Sequence, residues 1–265
     1  MKRIITLTTD FGSRDPYVAE MKAAILGICS EAEIVDITHE IEKFSTRMGA
    51  YVLASAAPYF PMGTIHVAVI DPSVGTKRRP LLVQTRRSFF VGPDNGVLNL
   101  AAEKQGITSI HEIMNPDVML QHVSNTFHGR DVFAPAAAHL ANGLSPVDFG
   151  PEIREAAESG FSKVTFSKGN LVGEVLHIDG FGNIITNLSE QDLSLLHVQE
   201  SIMVNLPNYV ARLRLGKTYA EAKPAEALIL LGSHGYVEIA VNQGNAAERI
   251  KVKAGDKIRL SSTTK

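Results

Sequence analysis

Thr64-Ile65-His66-Val67-Ala68-Val69-Ile70 runs directly into Asp71-Pro72-Ser73-Val74-Gly75-Thr76-Lys77-Arg78-Arg79. The first seven residues are almost continuously apolar rather than alternating, the pattern of a strand buried on both faces of a parallel sheet. The run stops at an acid and then a tight turn that carries bases. In open α/β sheets ligands bind outside the carboxyl ends of the strands, which puts Asp71 where chemistry is expected. Upstream, Ile4–Thr9 reads as a strand ending at Asp10-Phe11-Gly12. Asp15-Pro16 then supplies a capping acid before a proline at the first helical position. Val18, Met21, Ile25 and Ile28 recur at helical spacing, Glu33–Thr38 returns as a strand, and Ser45 caps a second helix whose buried face carries Met48, Tyr51 and Val52. Downstream, Leu81–Thr85 and Phe89–Val91 continue the sheet, Pro93-Asp94-Asn95-Gly96 turns, and Val97–Lys104 is helical. Asp131 caps a further helix through Ala136–Leu140, with Pro135 in its first turn.

From about Lys163 the pattern changes to short alternating strands: Leu171–Ile178, Asn183–Asn187, Ser201–Leu206, Tyr209–Leu215, Ala227–Leu231, Tyr236–Val241 and Arg249–Val252. The expected fold class is α/β: an N-terminal α/β sandwich domain with a mostly parallel sheet over residues 1–155, a linker over 156–168, and a smaller C-terminal antiparallel β-barrel domain over 169–265.

With 265 residues, 45% of them hydrophobic, the chain can bury a sizeable core in one or two domains. A formal net charge of −2 gives no broad positive field, which argues against nucleic acid as a partner, although Lys77-Arg78-Arg79 and Arg86-Arg87 are local basic spots. The basic start Met1-Lys2-Arg3 precedes an apolar run too short and too rich in threonine for a signal peptide, and no segment is long enough to span a membrane. The single Cys29 reads as a core thiol. A cytoplasmic protein with no membrane partner is the expectation.

Asp10 and Asp71 fall at strand ends, and Asp94 in its turn shares that rim on this assignment. Asp10, Asp15 and Asp94 also fit plain cap and turn roles. A carboxylate beside a guanidinium stays ionised. Asp71 with Arg78 therefore offers a fixed acceptor to a water molecule, and His128, in Phe127-His128-Gly129-Arg130-Asp131, adds a contact that titrates near neutral pH. A strand-end acid and a solvated base account for Asp71 and Arg78 equally well. The histidines lack zinc spacing, so no metal is expected, and a divalent ion held by Asp10, Asp71 and Asp94 has weak support. In the second half, Ile178-Asp179-Gly180-Phe181-Gly182-Asn183 displays an acceptor for an ammonium, a flat apolar face and an amide able to read a base edge. Ser233-His234-Gly235 is a second turn of interest, and each of the two also reads as an ordinary β-turn.

Taken together and in order, Thr8-Thr9-Asp10-Phe11-Gly12, Asp71-Pro72-Ser73-Val74-Gly75-Thr76, Pro93-Asp94-Asn95-Gly96, Phe127-His128-Gly129-Arg130-Asp131 and Asp179-Gly180-Phe181-Gly182-Asn183 resemble the S-adenosyl-L-methionine (SAM) hydroxide adenosyltransferases, relatives of the fluorinase and chlorinase enzymes. The resemblance implies hydrolysis of SAM to adenosine and L-methionine, with SAM as substrate and no cofactor, in a homotrimer with sites between subunits. It places the family's water-handling set on Asp71, Arg78 and His128, which the halogenating relatives do not keep. It also puts the ribose hydroxyls on Asp10, the amino-acid end on Asp179 and Ser233, and the adenine on Asn183, with Phe181 and Tyr219 packing nearby. Ser73 stands where the family pattern usually has glycine, and His234 where the halogenases have arginine. A halide-dependent adenosyltransferase, a metal-dependent phosphoesterase and a non-catalytic binder of SAM or adenosine are the alternatives.

Overall fold

The computed structural model describes residues 3–158, 160–198 and 200–262. Met1 and Lys2 of the basic start, Ser159 of the expected linker and the last three residues of the expected C-terminal domain lie outside the described residues. The chain divides into two compact units, the first ending at Gly160 and the second beginning at Phe161.

The first unit is built on a six-stranded sheet formed by β1 (Arg3–Thr9), β2 (Ala32–Thr38), β3 (Ile65–Val69), β4 (Pro80–Thr85), β5 (Phe89–Pro93) and β6 (Ile107–Glu112), in the spatial order β2-β1-β3-β5-β4-β6. The pairs of β1 with β2, β1 with β3 and β3 with β5 are parallel, and β4 runs antiparallel to both its neighbours. Every residue of β3 is buried, as its unbroken apolar run predicts. Alternate residues serve opposite layers. Ile65, Val67 and Val69 join a core with Met21, Ile25 and Cys29, whereas Ala68 and Ile70 join Leu53, Phe90 and Leu98 on the other face. Full burial of each such aliphatic side chain contributes about 1.5–3 kcal/mol.

Helices α1 (Tyr17–Ile28) and α4 (Ala134–Ala141) cover the first face, and α2 (Thr46–Ala56) and α3 (Asn99–Gln105) the second. Ser45 caps α2 by accepting a hydrogen bond from Met48 N at 3.3 Å, as expected. Other details differ. The residue before α1 is Pro16, already helical in backbone, so Asp15 makes no cap. On α2 the buried contact falls to Gly49, Ala50, Leu53 and Ala54 along with Tyr51, while Met48 and Val52 are only half-buried. A β-carbon on Gly49 would sit 2.7 Å from Ile70 Cδ1, so the helix lies too close to β3 for larger side chains there. Asp131 does not cap α4 either, because it lies inside a π-helical turn, Gly129–Phe133, that feeds directly into it.

The second unit is a closed barrel. Strands β8 (Asn170–Ile178), β9 (Ile184–Ser189), β10 (Ser201–Leu206), β11 (Tyr209–Gly216), β12 (Ala227–Leu231), β13 (Tyr236–Val241) and β14 (Lys257–Ser262) run in the order β14-β10-β11-β12-β13-β9-β8, and β8 returns to pair with β14. A short β7 (Thr165–Ser167) adds to β8 outside the ring. The barrel is antiparallel except that β11 and β12 run parallel. Two short helices, α5 (Glu190–Ser194) and α6 (Ala246–Ile250), complete it. The expected strand over Arg249–Val252 is instead the end of α6 and its exit. Asn245 caps that helix by accepting from Glu248 N at 2.9 Å, and Lys251 ends it in a left-handed conformation. The strand that closes the barrel is β14, whose Ile258 and Leu260 are wholly buried. No helix among the described residues is long and apolar enough to cross a membrane.

One core residue of β3 has a measurable consequence. His66 is wholly buried, stacked on Phe90 with ring centroids 5.0 Å apart, and bonded through Nδ1 to Thr6 Oγ1 at 2.8 Å. Burial pushes its imidazole down from 6.5 to about 4. The unfolded chain therefore binds a proton that the folded chain refuses, so stability present above pH 6.5 is lost as pH falls toward 4. The loss approaches about 3 kcal/mol on this group's account. Urea unfolding between pH 7 and 4 should show that extra slope in the wild type and its absence in His66→Gln. Equal slopes would refute it.

Candidate active site

Parallel pairing of β1 and β3 brings Thr9 level with Val69, so the residues that leave the two strands emerge side by side at the carboxyl edge of the sheet. There Asp10 and Asp71 line one cavity of about 670 Å³. Asp94, expected on the same rim, turns to another task. Its carboxylate takes Arg79 Nε at 2.8 Å and Nη2 at 2.5 Å on one oxygen and Ala157 N at 2.6 Å on the other, a structural clasp consistent with its turn position. Among the described residues no group of three or more His, Cys, Asp or Glu side chains is placed to hold a metal ion.

Asp71 and Arg78 form a side-on pair with little exposure, 5% and 6% for the two side chains. Arg78 Nε donates to Oδ1 at 3.1 Å and to Oδ2 at 2.9 Å, and its Nη2 donates to Oδ2 at 2.5 Å. Ser73 Oγ adds a longer bond to Oδ1 at 3.3 Å. The guanidinium lies over the Phe133 ring, 5.1 Å from its centroid, and its Nη2 reaches His128 Nδ1 at 2.7 Å. The Arg78–His128 bond joins residues fifty positions apart in sequence. Burial, and after it the neighbouring guanidinium, pushes the His128 imidazole below its usual range against the opposing pull of Asp71 and Asp131.

His128 stands at the entry to the π-helical turn, a kind of helical irregularity frequent at functional sites. The turn is held by Asp131, fully buried, which accepts from Ser124 N at 2.8 Å and from Arg130 Nε at 2.6 Å. Burial alone would raise the Asp131 carboxyl; the bonds from Arg130 and Ser124 outweigh it and hold the group below its usual range. Close contact couples the two loops. Gly75 has a φ of +76°, and a β-carbon there would lie 2.3 Å from the backbone oxygen of Asn125.

Several residues around the cavity escaped the reading of the sequence. Phe127 packs edge to face on Phe11 and Tyr17, which are tilted against each other, with centroids 5.2–5.7 Å apart, and Arg130 lies over Phe127 while pairing with Glu20 at 2.7 Å. Asp10 Oδ2 accepts from Phe44 N at 2.9 Å, and the Asp10 carbonyl accepts from the Lys43 ammonium. Phe44 itself is 70% exposed with a φ of 66°. One signal for Phe44 was available. It precedes the helix cap Ser45, where an apolar residue normally packs on the fourth helical position, and that position is Gly49, which offers no side chain.

The remaining expected site residues belong to the second unit. The Asp179–Asn183 loop is knotted on itself: Asp179 Oδ1 accepts from Phe181 N and Asn183 N, both at 2.9 Å, and Asn183 Nδ2 donates to Oδ2 at 2.9 Å. Gly182 is obligatory here, since a β-carbon would fall 2.1 Å from Asn245. The knot leaves Phe181 81% exposed and Asn183 buried. Tyr219 donates its hydroxyl to Glu238 Oε1 at 2.8 Å. Glu238, which the sequence reading missed, is buried on β13, and that burial raises its carboxyl with help from the charge of Asp179. An acid inside the otherwise apolar Tyr236–Val241 was the available signal. Ser233 lies exposed in the turn before β13.

Comparison with known proteins covers both units. The family model described as SAM hydroxide adenosyltransferase N-terminal domain matches residues 5–150, and that for the C-terminal domain matches residues 173–259. An (R)-S-adenosyl-L-methionine hydrolase of Methanocaldococcus jannaschii is 38% identical, covering 97% of this chain and 95% of its own. A fluorinase of Actinopolyspora mzabensis is 27% identical over 97% of both chains. The crystal structure of an uncharacterized conserved protein from Thermotoga maritima superposes with a TM-score of 0.92 at 37% identity, covering 97% of this chain and 99% of the other. The chain belongs to the SAM hydroxide adenosyltransferase family.

Proposed function

We propose that this chain hydrolyses SAM to adenosine and L-methionine by in-line attack of water on the ribose C5′ carbon. The observation that carries the reading is the Asp71–Arg78–His128 cluster at the wall of a cavity whose size suits a ligand of this class. L-Methionine leaves the sulfonium as a neutral thioether, so no acid is needed to protonate the leaving group. The nucleophile alone needs help. Asp71, Arg78 and His128 hold a water in line with the C5′–S bond, and a base of this set takes up its proton as attack proceeds. Asp10 holds the ribose hydroxyls, Asp179 and Ser233 the amino-acid end, and Asn183 the adenine, with Phe181 and Tyr219 packing on the ligand. SAM is the substrate, and turnover proceeds without added cofactor or metal. The same reading takes the protein as a cytoplasmic homotrimer that acts on a small molecule, with neither nucleic acid nor membrane as partner. Light scattering should return the mass of three chains.

Fluorinase relatives make halide the competing nucleophile. SAM incubated with the protein in halide-free, chelator-treated buffer made with oxygen-18 water should give labelled adenosine and methionine. Dependence on chloride or fluoride, with a 5′-halogenated adenosine as product, would favour the second reading; unchanged SAM would refute hydrolysis.

Asp71→Ala should lower turnover by about 10²–10⁴-fold and His128→Ala by about 10²-fold, both with SAM affinity within about threefold of wild type. Asn183→Ala should instead weaken SAM binding about tenfold. Equal losses of binding in all three would contradict these roles. Gly75→Ala forces a side chain against Asn125 and drives the two loops apart, so turnover should fall about 10²-fold while the fold is retained. Circular dichroism and turnover measured together check this, and unimpaired turnover would mean that the loop contact does not set the site.

A further inference from the structure

A guanidinium has donors and no acceptor. Arg78 Nη2 lies 2.7 Å from His128 Nδ1, so Nδ1 accepts, carries no proton, and leaves the ring hydrogen on Nε2. Protonating Nδ1 would break that bond and set an imidazolium against the guanidinium. Burial and Arg78 already disfavour the charged ring. In this state the imidazole has no lone pair left for a proton from water.

The two oxygens of Asp71 differ. Oδ2 takes the closer Arg78 contacts, at 2.9 and 2.5 Å, while Oδ1 takes longer ones, at 3.1 Å from Nε and 3.3 Å from Ser73 Oγ. Oδ1 is the less committed acceptor. On the hydrolase reading above, on which this rests, the geometry points to Asp71 Oδ1 as the acceptor of the water proton and to His128 as a positioning residue. His128 is a neutral acceptor that fixes the Arg78 guanidinium and, through it, Asp71.

The step balances. The water oxygen bonds to C5′ as the C5′–S bond breaks with its electron pair going to sulfur. The oxonium so formed passes one proton to Asp71 Oδ1 and thence to solvent, leaving adenosine, methionine and one proton. A protonated alkyl oxygen is far more acidic than a carboxylic acid, so a carboxylate suffices as acceptor.

His128→Asn places an amide oxygen near the position of Nδ1, where it accepts from Arg78 but cannot take up a proton. Turnover of this variant should stay within about tenfold of wild type, while His128→Ala falls about 10²-fold, with KM in both within about threefold. An Asn variant as slow as the Ala variant overturns the proposal. If the Asn variant fails to fold, nitrogen-15 shifts of His128 in the wild-type protein decide: a neutral Nε2–H ring supports the proposal, and an Nδ1–H or charged ring at neutral pH overturns it. A wild-type protein that does not hydrolyse SAM would instead overturn the hydrolase reading, and this division of roles with it.

Discussion

The bond network of Arg78 is the constraint on which the site depends. One guanidinium, shielded by the Phe133 ring, answers the buried carboxylate of Asp71 and holds the imidazole of His128. Removing one member of a buried pair leaves an uncompensated charge and typically costs about 3–5 kcal/mol. The rest of the first unit serves this arrangement. Parallel pairing of β1 with β3 sets the strand ends level, the glycine at position 75 lets the Asp71 loop touch the Asn125 backbone, and the π-helical turn aims His128 back at Arg78.

Two other buried acids of the first unit are neutralised in the same way. Asp94 has Arg79, and Asp131 has Arg130 together with a backbone amide. Glu238 in the barrel differs: it accepts from the Tyr219 hydroxyl and feels the like charge of Asp179. A buried carboxyl in such surroundings is harder to ionise, and its charge state depends on what stands beside it.

Much of this was legible in the sequence because the decisive signals were local. The unbroken apolar run Thr64–Ile70 marks a doubly covered strand, Ser45 marks a helix start, and Asp71 and Arg78 stand in the turn that follows that strand. The misses came where tertiary packing overrides local preference. Asp131 reads as a cap, yet its carboxylate is claimed by Ser124 and Arg130 inside a π-helical turn that no spacing rule announces. The Met48–Val52 face gives way to Gly49 because the helix approaches Ile70 too closely for bulk. Lys257–Ser262 shows only two buried apolar residues between charges, so its role in closing the barrel emerges only when both partner strands are in place. Likewise Phe44 gains its place at the cavity from a left-handed backbone and a bond to Asp10.

On the proposed assignment, charge at the Asp71–Arg78–His128 set bears on the choice of nucleophile. Arg78 directs Nε and Nη2 to Asp71 and shares Nη2 with His128, so its positive charge is largely answered within the set. With the ring neutral, Asp71, Arg78 and His128 sum to no net charge. An anion such as a halide, stripped of its hydration, would meet a carboxylate at short range and gain no compensating cation from these three groups. Water suffers no such penalty, and it can donate a hydrogen bond to Asp71 before reaction and a proton to it afterward. The attraction that a desolvated anion would need is already committed inside the protein, so on the proposed assignment the arrangement that stabilises the buried pair also favours a neutral nucleophile for a cationic substrate.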